Sequence, residues 1–405
     1  MPCGWNGRLI DDAPTSGIKQ VCAQEVWPVS GVLIHEWLSE HGGSENVFEV
    51  LSDAFPDAER FCLWNDSDGR FQGVNETVLA RTPLRRSKAL ALPFMPTVWR
   101  HLPRVDADWV LCSTHLFSHH ARFRGPARHA PKLVYAHTPA RYVWTPELDG
   151  RGGGPAARAL STVLKSVDRA RAQEPVAIAA NSAFIAQRIA DTWERESTVI
   201  HPPVDVSAFA ARSDDFTACE RAVLAALPSE FLLGVSRFVP YKRLDRVIEA
   251  GDAAGVPVVL AGSGPDEARL RALAESCGEQ VTFVHSPSSR VLAELYRRSL
   301  ALVFPAIEDF GIMPVEAMAT GTPVVASAVG GTAETVIDGV TGALVHDWSR
   351  GELKGAVEQA VGADADACVA RAYQFDTPVF VDRITEWVGS VTATDRMVSR
   401  DGSQR

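Results

Sequence analysis

The chain has 405 residues and a formal net charge of -10, enough length for two domains of ordinary size. An acidic protein of this kind is not drawn to nucleic acid in bulk, and no apolar run approaches the length of a membrane helix. The 7 cysteines are scattered without a C-x-x-C pair, which argues against a zinc site and a disulfide framework and suits buried thiols in a reducing cytosol.

Residues 1–30 hold Asp11, Asp12 and Glu25 among prolines and glycines; they do not read as a signal peptide and are expected to form a loose extension. The first strand is expected at 31–35, followed by a Gly42-Gly43 loop and an amphipathic stretch at 46–55. The glycine pair is either a flexible turn or a point of close backbone approach to a phosphate or acceptor. A second strand is expected at 61–64. Asp66-x-Asp68 after it has two hard carboxylates in the spacing that holds a divalent ion, but Asn, Asp, Ser and Gly together are ordinary turn chemistry, and no metal is assigned.

No acidic residue occurs in 77–105, which carries Arg81, Arg85, Arg86, Lys88, Arg100 and Arg104, or in 109–146, which carries Arg122, Arg124, Arg128, Lys132 and Arg141. One reading is a solvated basic face. The other is a surface for an anionic membrane or a pyrophosphate-linked lipid, where each basic residue is worth about 1 kcal/mol. Strands at 109–112 and 132–136 lead into His115 and His137, at the carboxyl ends where parallel sheets place their ligands. Arg151 to Gly154 is a flexible break before a helical stretch at 156–172. A strand at 175–180, a cap at Asn181-Ser182 and the segment 198–205 complete a first domain over 31–205.

The second domain, 206–376, opens on a strand at 231–236, with Arg237 at its end and Lys242 five residues on. Strands at 256–260 and 281–284 follow, the former ending in a Gly262-containing turn. Then comes ALVFPAIEDFGIMPVEAMATGTPVVASAVGGT, residues 301–332. An apolar strand, a polar turn with Glu308 and Gly311, a helix begun near Pro314 and stopped by Gly321, and another strand make a βαβ unit. Glu308 and Glu316 can face one crevice, where carboxylates accept from vicinal hydroxyls and a helix start receives phosphate. An amphipathic run at 377–390 and a loose tail at 391–405 end the chain.

Glu308 to Glu316 resembles the Glu-x7-Glu motif of the retaining family-4 glycosyltransferases, and the following AMATGTPV and Gly330-Gly331-x-x-Glu334 are similar to the same family. The resemblance covers roughly residues 30–390. It implies an α/β fold of two Rossmann-like domains facing a cleft, the GT-B architecture, with the helix at 377–390 crossing back to the first domain. It implies that Glu308 contacts the donor sugar and Glu316 the ribose, that Arg237 and Lys242 bind the diphosphate, and that His137 meets the sugar from the opposite domain. Gly42, Gly43, Gly262, Phe310, Gly311 and Ile312 fall with the donor, and His115 and Arg141 with the acceptor or in a secondary role. The runs HTPARYVW and SRFVPYKR resemble a mannosyltransferase-like branch. The implied activity is retaining transfer of mannose from GDP-mannose to a glycan, lipid-linked or small-molecule hydroxyl, without cofactor or metal. The expected place is the cytoplasm, peripheral at the inner membrane face. A nucleotide-sugar epimerase of the same architecture and a non-catalytic membrane- or partner-binding module are the alternatives. The family has a glycine just after the strand at 281–284 where this chain has His285-Ser286-Pro287, which leaves the nucleobase unassigned.

Overall fold

The computed structural model describes residues 30–145, 155–212, 215–278 and 280–402. Residues 1–29 of the expected extension and the break at 151–154 lie outside them. Among the described residues fifteen strands, numbered in chain order, form two parallel sheets and one short pair. They are β1 (Gly31–Ile34), β2 (Leu38–Ser39), β3 (Glu59–Cys62), β4 (Asn65–Asp66), β5 (Val74–Glu76), β6 (Trp109–Thr114), β7 (Lys132–Ala136), β8 (Ala177–Ala180), β9 (Thr198–Val199), β10 (Leu232–Val235), β11 (Val258–Gly262), β12 (Val281–His285), β13 (Ala301–Phe304), β14 (Val324–Ser327) and β15 (Gly342–Val345). The first sheet runs β5-β3-β1-β6-β7-β8-β9, the second β12-β11-β10-β13-β14-β15, and β2 pairs with β4.

Each sheet starts at its centre, winds outward one way, and then crosses back to the other side of its first strand. That reversal creates a crevice beside β1 and β6 in one domain, and beside β10 and β13 in the other, at the carboxyl ends of the strands. The strands are apolar on both faces because helices cover both. Alternation sorts their side chains: Leu232 joins Val258 and Leu260 in one core, while Leu233 joins Val259 and Leu302 in the other. The helix Ala183–Trp193 shows the local logic well. Ser182 Oγ accepts from Ile185 N at 3.0 Å to cap it, and Ile185, Ile189 and Trp193 form its buried stripe.

The last helix, Thr377–Gly402, starts in the second domain and packs on the first. Phe380, Ile384 and Val388 share a core with Leu33, Leu111, Leu133 and Tyr135, and Phe380 meets Tyr135 edge-on at 5.6 Å. The helix continues to Gly402, so residues 391–402 are helical where the sequence suggested a loose tail. Strand bounds also shift by up to two residues: the strand expected at 256–260 is Val258–Gly262, with Val258 opposite Leu232, and the one expected at 175–180 is Ala177–Ala180. The strand expected at 61–64 is Glu59–Cys62, because its register follows β1, with Ile34 opposite Phe61. The last strand begins at Gly342, after a turn in which Val340 N and Thr341 N donate to Ile337 O. Asp66 ends β4 and is ion-paired with Arg85, and Asp68 follows it in a turn at φ 49. Among the described residues, no helix is long and apolar enough to cross a membrane.

Candidate functional site between the two domains

A cleft of about 560 Å³ lies between the carboxyl ends of the two sheets. Its walls hold Gly43, His115, His137 and Arg141 from the first domain, and Arg237, Lys242, Glu308, Phe310, Gly311 and Ile312 from the second. Ten of the thirteen residues singled out in the sequence therefore meet in one place; the other three, Gly42, Gly262 and Glu316, lie away from its walls.

The second domain supplies charge. Arg237 leaves β10 and donates through Nη2 to Tyr241 Oη at 2.8 Å. Among the described residues no carboxylate lies within ion-pair distance of it. Lys242 ends a short turn and pairs with Glu308 Oε1. The loop bearing Glu308 is held by backbone contacts: Gly331 N donates to Glu308 O at 2.8 Å, and a Cβ on Gly331 would lie 2.2 Å from Asp309 O. Gly330-Gly331 thus act by lying flat against the 308–309 backbone. Gly311 then begins the helix Ile312–Ala319, whose first residues, Ile312 and Met313, line the cleft. The Phe310 side chain is buried between His201 and Phe375, at 5.5 and 5.4 Å, which leaves only its backbone to the cleft.

The first domain supplies a histidine cluster. His35, His115 and His137 lie within ring-centroid distances of 5.4 to 6.4 Å. Burial lowers the pKa of all three, His115 and His137 to about 3, and the rings are neutral near pH 7. Ser113 Oγ bridges His137 Nε2 at 2.8 Å and His35 Nδ1 at 3.1 Å. One hydroxyl has a single proton, so at least one of these nitrogens donates to it. The bridge fixes the ring of His137 and leaves its Nδ1 for a ligand. Sequence reasoning missed both Ser113 and His35; the only signal was their place at two adjacent strand ends.

The sequence also missed a set of contacts that ties the domains together beside the cleft. Asp309, next to Glu308, takes Arg188 Nη1 at 2.9 Å and also pairs with Arg141. Ser182 Oγ donates to Asp309 O at 2.5 Å. Glu334 accepts from Ala183 N at 2.7 Å and Phe184 N at 2.8 Å, so an acid of the second domain caps a helix of the first. Arg141, expected with the acceptor or in a secondary role, is paired with Asp309.

Three residues stand apart from the cleft lining. Glu316 is behind it, where its Oε2 accepts from Tyr296 Oη at 3.1 Å and burial pushes its pKa up to about 7. Gly262, at φ 142, is packed by the chain itself: a Cβ there would lie 1.9 Å from Ser236 O. Gly42 precedes the helix Gly43–Ala54, and a Cβ on it would strike the Glu45 carboxylate at 2.1 Å, whereas Gly43 opens to the cleft opposite Ile312. Gly262 is thus required by neighbouring backbone, while a Cβ at Gly42 would meet only the movable end of the Glu45 side chain.

A family model described as Glycosyltransferase Family 4 matches residues 41–208, and one described as Glycosyl transferases group 1 matches residues 215–373. The D-inositol 3-phosphate glycosyltransferase of Mycobacterium leprae (strain Br4923) is 35% identical over 227 residues, 50% of this chain and 52% of that protein. The protein of the same name from Mycobacterium sp. (strain JLS) is 40% identical over 161 residues, 37% of this chain and 36% of that protein. The chain thus spans about half or less of these curated relatives. Among solved structures, Anabaena Alr3699/HepE in complex with UDP-glucose matches at TM-score 0.66 and 18% identity, covering 89% of this chain and 99% of that one. The lipopolysaccharide outer core galactosyltransferase WaaB in its apo form matches at 0.62 and 18%, with 89% and 99% covered. At such identity these likenesses speak to the fold, which is GT-B.

Proposed function

We propose that this chain, whose two halves are those of a family-4 GT-B glycosyltransferase, moves a sugar from a nucleoside diphosphate sugar to an acceptor hydroxyl with retention at the anomeric carbon. The observation that carries the reading is the meeting of Arg237, Lys242, Glu308 and His137, drawn from both domains, around one cleft. Two cations beside a helix start suit a diphosphate, and charge at the leaving oxygen is what departure of the nucleotide requires to be offset. In this reading Arg237 and Lys242 do what a metal ion does elsewhere, and the enzyme needs no cofactor. Glu308 and the backbone N–H groups at Gly311 and Ile312 place the sugar. Glu316 takes the ribose, exchanging its bond from Tyr296. His137, neutral and held by Ser113, offers Nδ1 to a sugar hydroxyl. No side chain in the cleft stands out as a nucleophile, so the acceptor attacks on the face the nucleotide leaves, and a departing phosphate oxygen takes its proton.

GDP-mannose is the donor we assign first, on the resemblance of residues 137–144 and 236–243 to the mannosyltransferase-like branch. A UDP sugar is the competing donor, because the similarly folded HepE is seen with UDP-glucose. For the acceptor we propose a glycan or lipid-linked hydroxyl, with a phosphorylated cyclitol as the competing choice from the names of the mycobacterial relatives. The proposed setting is the cytoplasm, at the inner membrane face when the acceptor is lipid-linked.

The test is a thermal-shift panel with GDP, UDP, TDP and ADP, followed by product analysis with the preferred labelled sugar donor. One nucleotide is expected to raise the melting temperature by preferential binding to the folded state. Sugar transfer is expected only with an acceptor present, whereas an epimerase changes the donor alone. Failure of all four nucleotides at millimolar concentration removes the donor assignment.

A further inference from the structure

The two acid-free stretches of the first domain do not end up at the cleft, apart from His115, His137, Thr138, Arg141 and Tyr142. Several of their cations gather instead at the opposite end of the sheet. There a second cavity of about 540 Å³ opens at the amino ends of β6, β7 and β8, beside Val110, Lys132 and Val176.

Glu174 is the hub of its floor. Its carboxylate accepts from Lys132 Nζ at 2.9 Å, from Arg100 Nη1 at 2.7 Å and from Arg171 Nη1 at 2.8 Å. Lys132 is nearly buried, and its other two donors reach His119 O at 2.8 Å and Ala121 O at 3.3 Å. The floor is therefore rigid, and its three cations share a single counter-charge. Arg122 and Arg128 stand exposed on the wall above. Their backbones are pinned, Arg122 N to Trp99 O at 2.8 Å and Arg128 N to Gly125 O at 3.2 Å. Among the described residues neither guanidinium has a carboxylate within ion-pair distance. Among the described residues, Asp395, on the crossing helix, is the only other acid in the lining. Five cations thus face two carboxylates in a protein whose net charge is -10.

We infer that this cavity is an anion site for a compact ligand carrying one or more phosphate groups, separate from the donor cleft. Guanidinium groups present paired N–H donors that match phosphate oxygens, and Arg122 and Arg128 have theirs free. Arg100 and Arg171 each reach Glu174 through Nη1 alone, which leaves further N–H groups to aim at a ligand. The phosphate comes either from solution or from a lipid headgroup, since the chemistry recognised is the same. A strand joins the two sites: β7 runs from Lys132 in this floor to Ala136, one residue before His137.

The experiment uses the whole chain and two probes at low ionic strength: inorganic tripolyphosphate, and vesicles of phosphatidylcholine with or without phosphatidic acid. Tripolyphosphate is expected to raise the melting temperature by roughly 2–4 °C when present well above its Kd, and the rise should fade as salt is added. Lys242→Ala, which weakens phosphate binding in the donor cleft, should keep the part of that rise that comes from the far cavity. Arg122→Ala and Arg128→Ala, added together in that background, should remove this remaining rise while keeping the unliganded melting temperature. If the ligand is a headgroup, sedimentation with phosphatidic acid vesicles should fall at least tenfold when these two arginines are replaced in that background, and phosphatidylcholine alone should not bind. Unchanged responses to both probes after the two arginines are replaced overturn the inference, as does a parent chain that responds to neither.

Discussion

Lys242 and Glu308 neutralise each other when no ligand is present. In the proposed function a diphosphate draws the lysine away and the freed carboxylate accepts from the sugar, so that binding would convert one internal pair into two contacts with the donor. Lys242→Ala is therefore expected to lower kcat/KM by about 10²–10³ and to weaken the nucleotide-induced thermal shift. Steady-state kinetics together with the melting curve check this. Glu316 gives a pH signature. Its folded pKa, about 7, lies above the ordinary value of 4.5 because burial outweighs the bond from Tyr296. A raised acid contributes stability that is complete below its unfolded pKa and is lost as pH rises through the folded one. The unliganded protein should lose stability through this group between about pH 4.5 and 7. The buried histidines act the other way, losing stability as pH falls below about 6.5. The difference between Glu316→Gln and parent isolates the carboxylate. The variant's relative melting temperature should climb from pH 5 to pH 8, and an unchanging difference would refute the assignment.

At the scale of elements, the loop that carries Glu308 is shaped by what lies against it. Residues 308–310 sit on Gly330-Gly331 from one side and on Ser182, Arg188 and Arg141 of the other domain. Gly331→Ala puts a methyl group 2.2 Å from Asp309 O, where backbone has to move. Displacement of Glu308 should follow, and the nucleotide thermal shift should shrink even if the variant folds. Asp309→Ala leaves two arginines of the first domain without their shared partner. Loss of these half-buried charged hydrogen bonds should lower stability by about 1.5–3 kcal/mol, read from denaturant unfolding. It should also raise KM, because the cleft walls are no longer tied. A variant with unchanged KM would mean that the tie does not hold the cleft.

At the scale of the molecule, the sites follow from doubly wound topology. Two parallel sheets bring their carboxyl ends face to face, and the helix Thr377–Gly402 returns to cover the first sheet. Phe380 is 2% exposed in a core shared with β1, β6 and β7, so Phe380→Ala should cost about 3–5 kcal/mol. Chemical denaturation followed by tryptophan fluorescence measures it. Because the helix belongs to the second domain by sequence and to the first by packing, unfolding of the two domains should be coupled through it. Closure of the domains on a donor would exclude the water that otherwise hydrolyses it.

Some of this was written in the order of residues. Alternating strand and helix patterns with turns between them specify parallel sheets, and parallel sheets present their carboxyl ends to ligands; hence His115, His137, Arg237 and Glu308 were legible as residues that follow strands. Other features depend on contacts far apart in the chain. Asp309 meets Arg188 across 121 positions, and Glu334 caps a helix 151 positions away. Gly262 looks like a ligand-approach glycine until Ser236 O is found against it. The cations of 77–146 read as one basic surface, yet packing divides them between the donor cleft, ion pairs such as Arg85 with Asp66, and the far cavity around Glu174. Periodicity sets which face of an element is buried; only tertiary packing decides which distant side chain lies against it, because that partner is chosen by the docking of domains and not by neighbours in the chain.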